Sequence, residues 1–192
     1  MNEYNIIKSK YYQDTDINYR KNNGQIFTPL YIADIMSSWV LKAKGIVNNN
    51  EAARILDPAV GLGVFFQSII NSIYGDKDDI SARVKMYGIE KDQMLSRECD
   101  KLYSDFKNIF IEKGDYLLDW NGKYQIPELY DGIICNPPYL IYKKFNNDKY
   151  LSIFKEMIDV KLSGFTNLCM LFLIKSLQEL KKGGRMAYIV PS

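Results

Sequence analysis

The residues best equipped for chemistry are Asn136-Pro137-Pro138-Tyr139, which follow directly on the small and apolar run Gly132-Ile133-Ile134-Cys135. That run reads as a strand covered on both faces. Two prolines then end its ladder hydrogen bonds and fix the chain's exit, and Pro137 drives Asn136 out of the helical region. An amide, a proline carbonyl and an aromatic ring are thereby presented at the carboxyl end of a strand. Open parallel sheets bind ligands there. Asn and Pro are also ordinary turn residues, so on their own these four read equally well as a plain loop.

A second group lies earlier. Ala53-Arg54-Ile55-Leu56-Asp57 is a short apolar strand ending in an acid, followed by Pro58-Ala59-Val60, the turn Gly61-Leu62-Gly63, and an apolar helix to about residue 74. This is the first strand-to-helix turn of a nucleotide-binding type of fold. Glycines let backbone approach a ligand, and the helix start offers free N–H groups. Phe66 stands where the dinucleotide fingerprint has its third glycine, and Asp57 would repel a pyrophosphate. A ligand without phosphates and with a positive centre fits better, and S-adenosylmethionine carries both a sulfonium and an ammonium. Strand two is predicted over Lys85–Glu90. A carboxylate at Glu90 can accept both ribose hydroxyls; the alternative is an acid capping the helix predicted over Gln93–Tyr103. Asp115, in the loop after a third strand, can accept the exocyclic amine of an adenine ring, with Tyr116 or Leu117 against the ring face. An Asp in such a loop is also a common cap or turn former.

The remaining elements must position these groups. In Gly24-Gln25-Ile26-Phe27-Thr28-Pro29, Thr28 is a candidate helix cap and Pro29 a candidate first helical residue. The helix is predicted through about Leu41, with Ile32, Ile35, Met36, Trp39 and Val40 on its apolar side and Gly45 as its stop. The loop before it is placed over a ligand. Residues 1–23 are polar and tyrosine-rich without a clear period, and read as an N-terminal arm. Residues 75–79 read as a polar connector. Tyr142, Lys143, Lys144, Phe145, Lys149 and Tyr150 mark residues 140–164 as either a loop near the substrate or a solvated connection. A strongly apolar helix over Asn167–Lys181 is ended by Lys181-Lys182-Gly183-Gly184, with cations at the negative end of its dipole. Arg185–Val190 is the last strand. One helix, then repeated strand–helix units, then a strand make an α/β domain over residues 24–192, with a mostly parallel sheet and helices on both faces.

Composition narrows the chemistry. The chain of 192 residues suits one domain with a full core, and 47% hydrophobic and 25% charged residues are ordinary for a globular protein. A net charge of +2 is only a weak hint at nucleic acid. No apolar run is long enough to span a membrane and the N-terminus lacks a signal-peptide pattern, so a cytoplasmic location is expected. The absence of histidine removes histidine-based triads and most zinc or iron sites. Cys99, Cys135 and Cys169 are too scattered for a metal or disulfide framework, and no metal is expected.

Taken in order, these segments resemble the amino-methyltransferases that act on adenine N6 in DNA, as in type IIG and related bacterial restriction–modification enzymes. Gly24–Pro29 is similar to the family's leading cofactor-loop motif, Asp57 to Phe65 to motif I, and Glu90 and Asp115 to the acids of motifs II and III. Asn136-Pro137-Pro138-Tyr139 is similar to catalytic motif IV. Thr166-Asn167-Leu168 through Gly183-Gly184, with Val190-Pro191, is similar to motifs V and VI. The resemblance implies a Rossmann-like class I fold and S-adenosylmethionine as cofactor, held by Phe27, Thr28, Asp57, Ala59, Gly61, Gly63, Glu90, Asp115, Tyr116 and Asn136. It implies double-stranded DNA as partner, with the target adenine flipped out of the duplex. Asn136 Oδ1 and the Pro137 carbonyl would accept the two N6 hydrogens, with Pro138 shaping the turn and Tyr139 stacking on the base. Val60 and Leu62 replace small, mostly polar residues usual in motif I, which implies one or two fewer contacts to the methionine moiety. The family's last two strands and its target-recognition domain are expected to lie outside these 192 residues, in a longer chain or a partner subunit. RNA and protein-glutamine methyltransferases share the Asn-Pro-Pro-Tyr turn, but the Gly24–Pro29 segment argues against them. A non-catalytic piece of a larger assembly that binds cofactor or DNA is the other reading.

Overall fold

The computed structural model describes residues 3–43, 51–73, 77–118, 129–140, 150, 152 and 167–190. Gly45, Tyr142, Lys143, Lys144, Phe145, Lys149, Thr166 and Pro191 lie outside the described residues. Among the described residues, five parallel strands form one sheet: β1 (Ala53–Asp57), β2 (Val84–Glu90), β3 (Ile109–Lys113), β4 (Tyr130–Cys135) and β5 (Leu180–Tyr188), in the order β3-β2-β1-β4-β5. The strand order reverses between β1 and β4, where ligand crevices form in such sheets.

The helices are α1 (Glu3–Asp14), α2 (Ile17–Asn22), α3 (Leu30–Val40), α4 (Val64–Ser72), α5 (Lys77–Arg83), α6 (Gln93–Tyr103) and α7 (Leu168–Glu179). Alternate strand side chains feed two cores. Ile55, Met86 and Ile134 point into one, with Phe65, Phe66 and Ile69 of α4, Leu95 and Cys99 of α6, and Tyr4 and Tyr11 of α1. Leu56, Ile133 and Cys135 point into the other, with Leu171 and Phe172 of α7. β4 is buried at every position, which explains the small and apolar run Gly132–Cys135 that makes up most of it.

Several elements depart from the sequence reading. The N-terminal residues are helical because Tyr4, Ile7 and Tyr11 recur at helical spacing and pack on the first core. Residues read as the end of a polar connector form the start of α5. In α3 the buried stripe is Ala33, Ser37 and Val40, whereas Ile35 and Trp39 are exposed. Small residues let α3 lie close to α4, where Ser68 Oγ donates to Asp34 Oδ1 at 2.6 Å. Trp39 instead carries the Arg185 guanidinium 4.2 Å above its ring. α7 stops at Glu179 and the chain passes directly into β5 through an extended Leu180. Lys181 is therefore not a dipole partner. Its ammonium lies 2.9 Å from both oxygens of buried Asp131, which supplies the countercharge that a buried carboxylate requires.

Candidate active site

A cleft of about 310 Å³ opens at the carboxyl ends of the strands, across the β1–β4 switch point. Phe27, Ala59, Gly61, Glu90, Asp115, Tyr116, Asn136 and Pro138 line it. Thr28, Asp57, Gly63, Pro137 and Tyr139 do not line it.

On the β1 and β2 side, Glu90 is the central charge. Its Oε2 accepts the Gly61 N–H at 2.9 Å and its Oε1 accepts the Asp92 N–H at 2.7 Å. Burial pushes its carboxyl up to about 7, against the pull of those two N–H groups. The helix cap is not Glu90 but Asp92, whose Oδ1 accepts from Met94 and Leu95 at the start of α6. Asp57 is fully buried at the end of β1. Its Oδ1 accepts the Ala59 N–H at 3.1 Å and so shapes the turn, while Oδ2 has no hydrogen-bond partner. Burial holds its carboxyl well above the usual range, and nearby Glu90 adds to this. Gly63 serves packing: it has φ +76, and a Cβ there would stand 2.5 Å from the Tyr103 ring. Tyr103 closes this contact by donating its hydroxyl to the Gly63 carbonyl at 2.6 Å.

Asp115 lines the far wall with both oxygens engaged. Oδ1 accepts from the Leu117 and Leu118 backbone, and Oδ2 from the Tyr150 hydroxyl and the Lys91 ammonium. Phe27 covers Gly61: a Cβ on that glycine would lie 3.8 Å from the Phe27 ring. Tyr11 and Tyr12 meet the same ring edge-on at 5.6 and 5.4 Å.

At the end of β4, Asn136 is clamped from two sides. Its Nδ2 donates to the Ile26 carbonyl at 2.9 Å and to Thr28 Oγ1 at 3.0 Å. Its Oδ1 accepts the Tyr139 hydroxyl at 2.6 Å. Thr28 does not cap α3: Pro29 holds the N-cap position and no side chain caps that helix. Gly24 presses against the turn with φ +64, and a Cβ there would stand 2.8 Å from the Tyr139 nitrogen.

The sequence reading missed one wall. Tyr19, Asn23 and Gln25 line the cleft beside Lys91, Asp92 and Gln93. Tyr19 donates to Asp92 Oδ2 at 2.7 Å, Gln25 Nε2 donates to the same atom at 3.1 Å, and Tyr11 donates to Gln25 Oε1 at 2.7 Å. Burial alone would push Asp92 up, but bonds from Tyr19, Leu95, Gln25 and Met94 pull its carboxyl below the usual range. The available signal was the spacing of Tyr4, Ile7 and Tyr11, which marks α1 as a packed helix.

The sheet order and the cleft at its switch point match the fold of class I S-adenosylmethionine-dependent methyltransferases. A Listeria monocytogenes protein assigned to that class superposes with a TM-score of 0.64 at 20% identity, over 88% of this chain and 47% of its own. The N-6 DNA Methylase family model matches residues 4–192, and the chain belongs to that family. Type II methyltransferase M.AccI of Acinetobacter calcoaceticus is 35% identical over 189 residues, which are 98% of this chain and 31% of that protein. A chain of the DrdV–DNA complex superposes with a TM-score of 0.66 at 19% identity, over 93% of this chain and 21% of its own. The chain spans less than a third of the length of the curated relatives it matches.

S-adenosylmethionine is the cofactor of this family and fold, and the residues present fit it. The cleft is at the small end of the range for cofactor sites. Each Glu90 oxygen keeps a lone pair for a hydroxyl donor after its backbone contact. Phe27, Ile89, Leu95 and Tyr116 add apolar surface for a ring. Asp115 is ion-paired with Lys91, so Glu90 rather than Asp115 is the acid that suits a ligand with a positive centre.

Proposed function

We propose that this chain is the cofactor-binding and catalytic part of an enzyme that methylates the N6 amine of adenine in double-stranded DNA, as the modification activity of a restriction–modification system. The observation that carries this reading is the placement of Asn136 on the same cleft as Glu90 and Gly61. The bound cofactor supplies an electrophilic methyl group. The adenine N6 lone pair is delocalised into the ring, so the protein's task is to redirect it. Asn136 Oδ1 and the Pro137 carbonyl accept the two N6 hydrogens, draw the nitrogen toward tetrahedral geometry and aim its lone pair into the cleft. After transfer the extra proton on nitrogen leaves to solvent, so no strong base is needed. Tyr139 offers its half-buried ring to the flipped base. In this reading Phe27, Ala59, Gly61, Glu90, Asp115 and Tyr116 contact the cofactor, while Asp57 and Gly63 shape the turn beneath it. A recognition domain or subunit supplies sequence specificity, and the substrate places the enzyme in the cytoplasm.

The test is incubation with methyl-labelled S-adenosylmethionine and mixed-sequence duplex DNA, followed by digestion to nucleosides. Label in N6-methyladenine is the expected result. Label in RNA or protein instead, or cofactor binding without any transfer, would overturn the assignment for this chain.

A further inference from the structure

We propose that Thr28 is a positioning residue that holds the Asn136 amide in the orientation the Ile26 carbonyl sets, with Oδ1 toward the substrate, and thereby limits the site to groups that offer N–H. This rests on the methyltransferase reading above. The two ends of an amide are nearly equal in shape but opposite in hydrogen-bond sense. Here the surroundings leave one solution. The Ile26 carbonyl, 2.9 Å away, can only accept, so it must face Nδ2. Thr28 Oγ1, at 3.0 Å, receives the second N–H. The Tyr139 hydroxyl, at 2.6 Å, then meets Oδ1 as a donor.

Both amide hydrogens are thus spent inside the protein. What Asn136 has left for a ligand is one lone pair on Oδ1, an acceptor and nothing else. The reversed amide would set Oδ1 against the Ile26 carbonyl, two acceptors in contact. Thr28 is 4% exposed, so water does not readily replace its oxygen. The Pro137 carbonyl is also acceptor-only. An amine with two hydrogens satisfies this pair; a ring carbonyl, as in guanine or thymine, meets two acceptors and is refused. Unpaired polar groups of this kind give strong discrimination. Thr28 performs this from outside the cleft, on the loop whose Phe27 lines the cofactor side.

The experiment compares Thr28→Val and Thr28→Ser with the unaltered chain in three readouts: cofactor affinity, kcat for methyl transfer, and the ¹⁵N-detected side-chain amide of Asn136, assigned by its disappearance in Asn136→Ala. Thr28→Val is expected to lower kcat about tenfold, the effect of one misplaced hydrogen bond. Cofactor affinity should hold, one Asn136 amide proton should exchange faster, and Thr28→Ser should restore both properties. Weaker cofactor binding with unchanged kcat would make Thr28 a cofactor ligand and overturn the proposal. An unchanged amide spectrum would overturn it as well. Should the unaltered chain bind cofactor but transfer nothing to DNA, the methyltransferase reading fails separately. The amide spectrum then decides this inference: faster exchange in Thr28→Val supports it and no change overturns it.

Discussion

The two sides of the cleft differ in charge and in how their polar groups are held. Beneath the ends of β1, β2 and β3 stand Asp57, Glu90 and Asp115, three carboxylates with backbone N–H groups folded against them. At the end of β4 the residues lining the cleft are neutral, Asn136 and Pro138, with a tyrosine hydroxyl and a threonine hydroxyl holding the Asn136 amide. A cation can be held by charge, which acts over several ångströms and tolerates small errors of placement. A neutral amine offers only hydrogen-bond direction, so its side must be aligned closely. This accounts for the clamp on Asn136, which has three partners, whereas Asp57 is held by the Ala59 N–H alone and its Oδ2 has no partner.

The largest effect should come from the neutral side. Asn136→Ala is expected to lower methyl transfer by about 10²–10³, the usual loss when one preorganised hydrogen-bonding group at a reacting centre is removed. Cofactor affinity should stay nearly intact. Equal losses in both would erase the division between the two sides.

Glu90→Gln comes next and belongs to the charged side. It should weaken cofactor affinity about tenfold at pH 8, because a charged acceptor becomes a neutral amide. The pH profile sharpens this. Glu90 is held up to about 7 by burial, so it is protonated below that pH and loses acceptor capacity. Affinity of the unaltered chain should fall as pH drops through about 7 and level off above it, and Glu90→Gln should flatten the curve. The same shift has the opposite sign for the free protein's stability. A carboxyl raised in the folded state binds its proton more tightly there. Its contribution is full below the unfolded carboxylate range and is lost as pH rises through about 7. A cofactor-affinity profile that is identical in Glu90→Gln would remove Glu90 from the contact.

The smallest effect is expected at Asp57. Asn at this position keeps the oxygen that accepts the Ala59 N–H and removes a buried acid whose Oδ2 has no partner. Asp57→Asn should raise stability by about 1 kcal/mol at high pH and by less at low pH, because a carboxyl that burial holds above its usual range costs stability as pH rises. Thermal unfolding at high and low pH measures this. A loss of cofactor affinity as large as that of Glu90→Gln would make Asp57 a ligand-contacting charge.

The sequence by itself determined the sheet and most of its timing. β1 and β2 were legible to within about a residue and β4 to within two, because strands covered by helices are rich in apolar residues. α6 was legible over its whole length, Gln93–Tyr103, because its apolar stripe is bounded by turn residues. The candidate residues at strand ends followed from the rule that such sheets bind ligands there. What tertiary structure decided was which of them reach the cleft and what holds them. Gly63 went to Tyr103, Asp57 turned inward, and Thr28 gave its oxygen to Asn136 rather than to a helix N-terminus. The wall formed by Tyr19, Gln25 and Asp92 depends on partners 67 to 73 positions apart. Local pattern reports which face of an element is apolar. It carries no record of hydrogen-bond partners that only the packing of α1, α2 and the residue 24–28 loop onto the sheet brings within 3 Å.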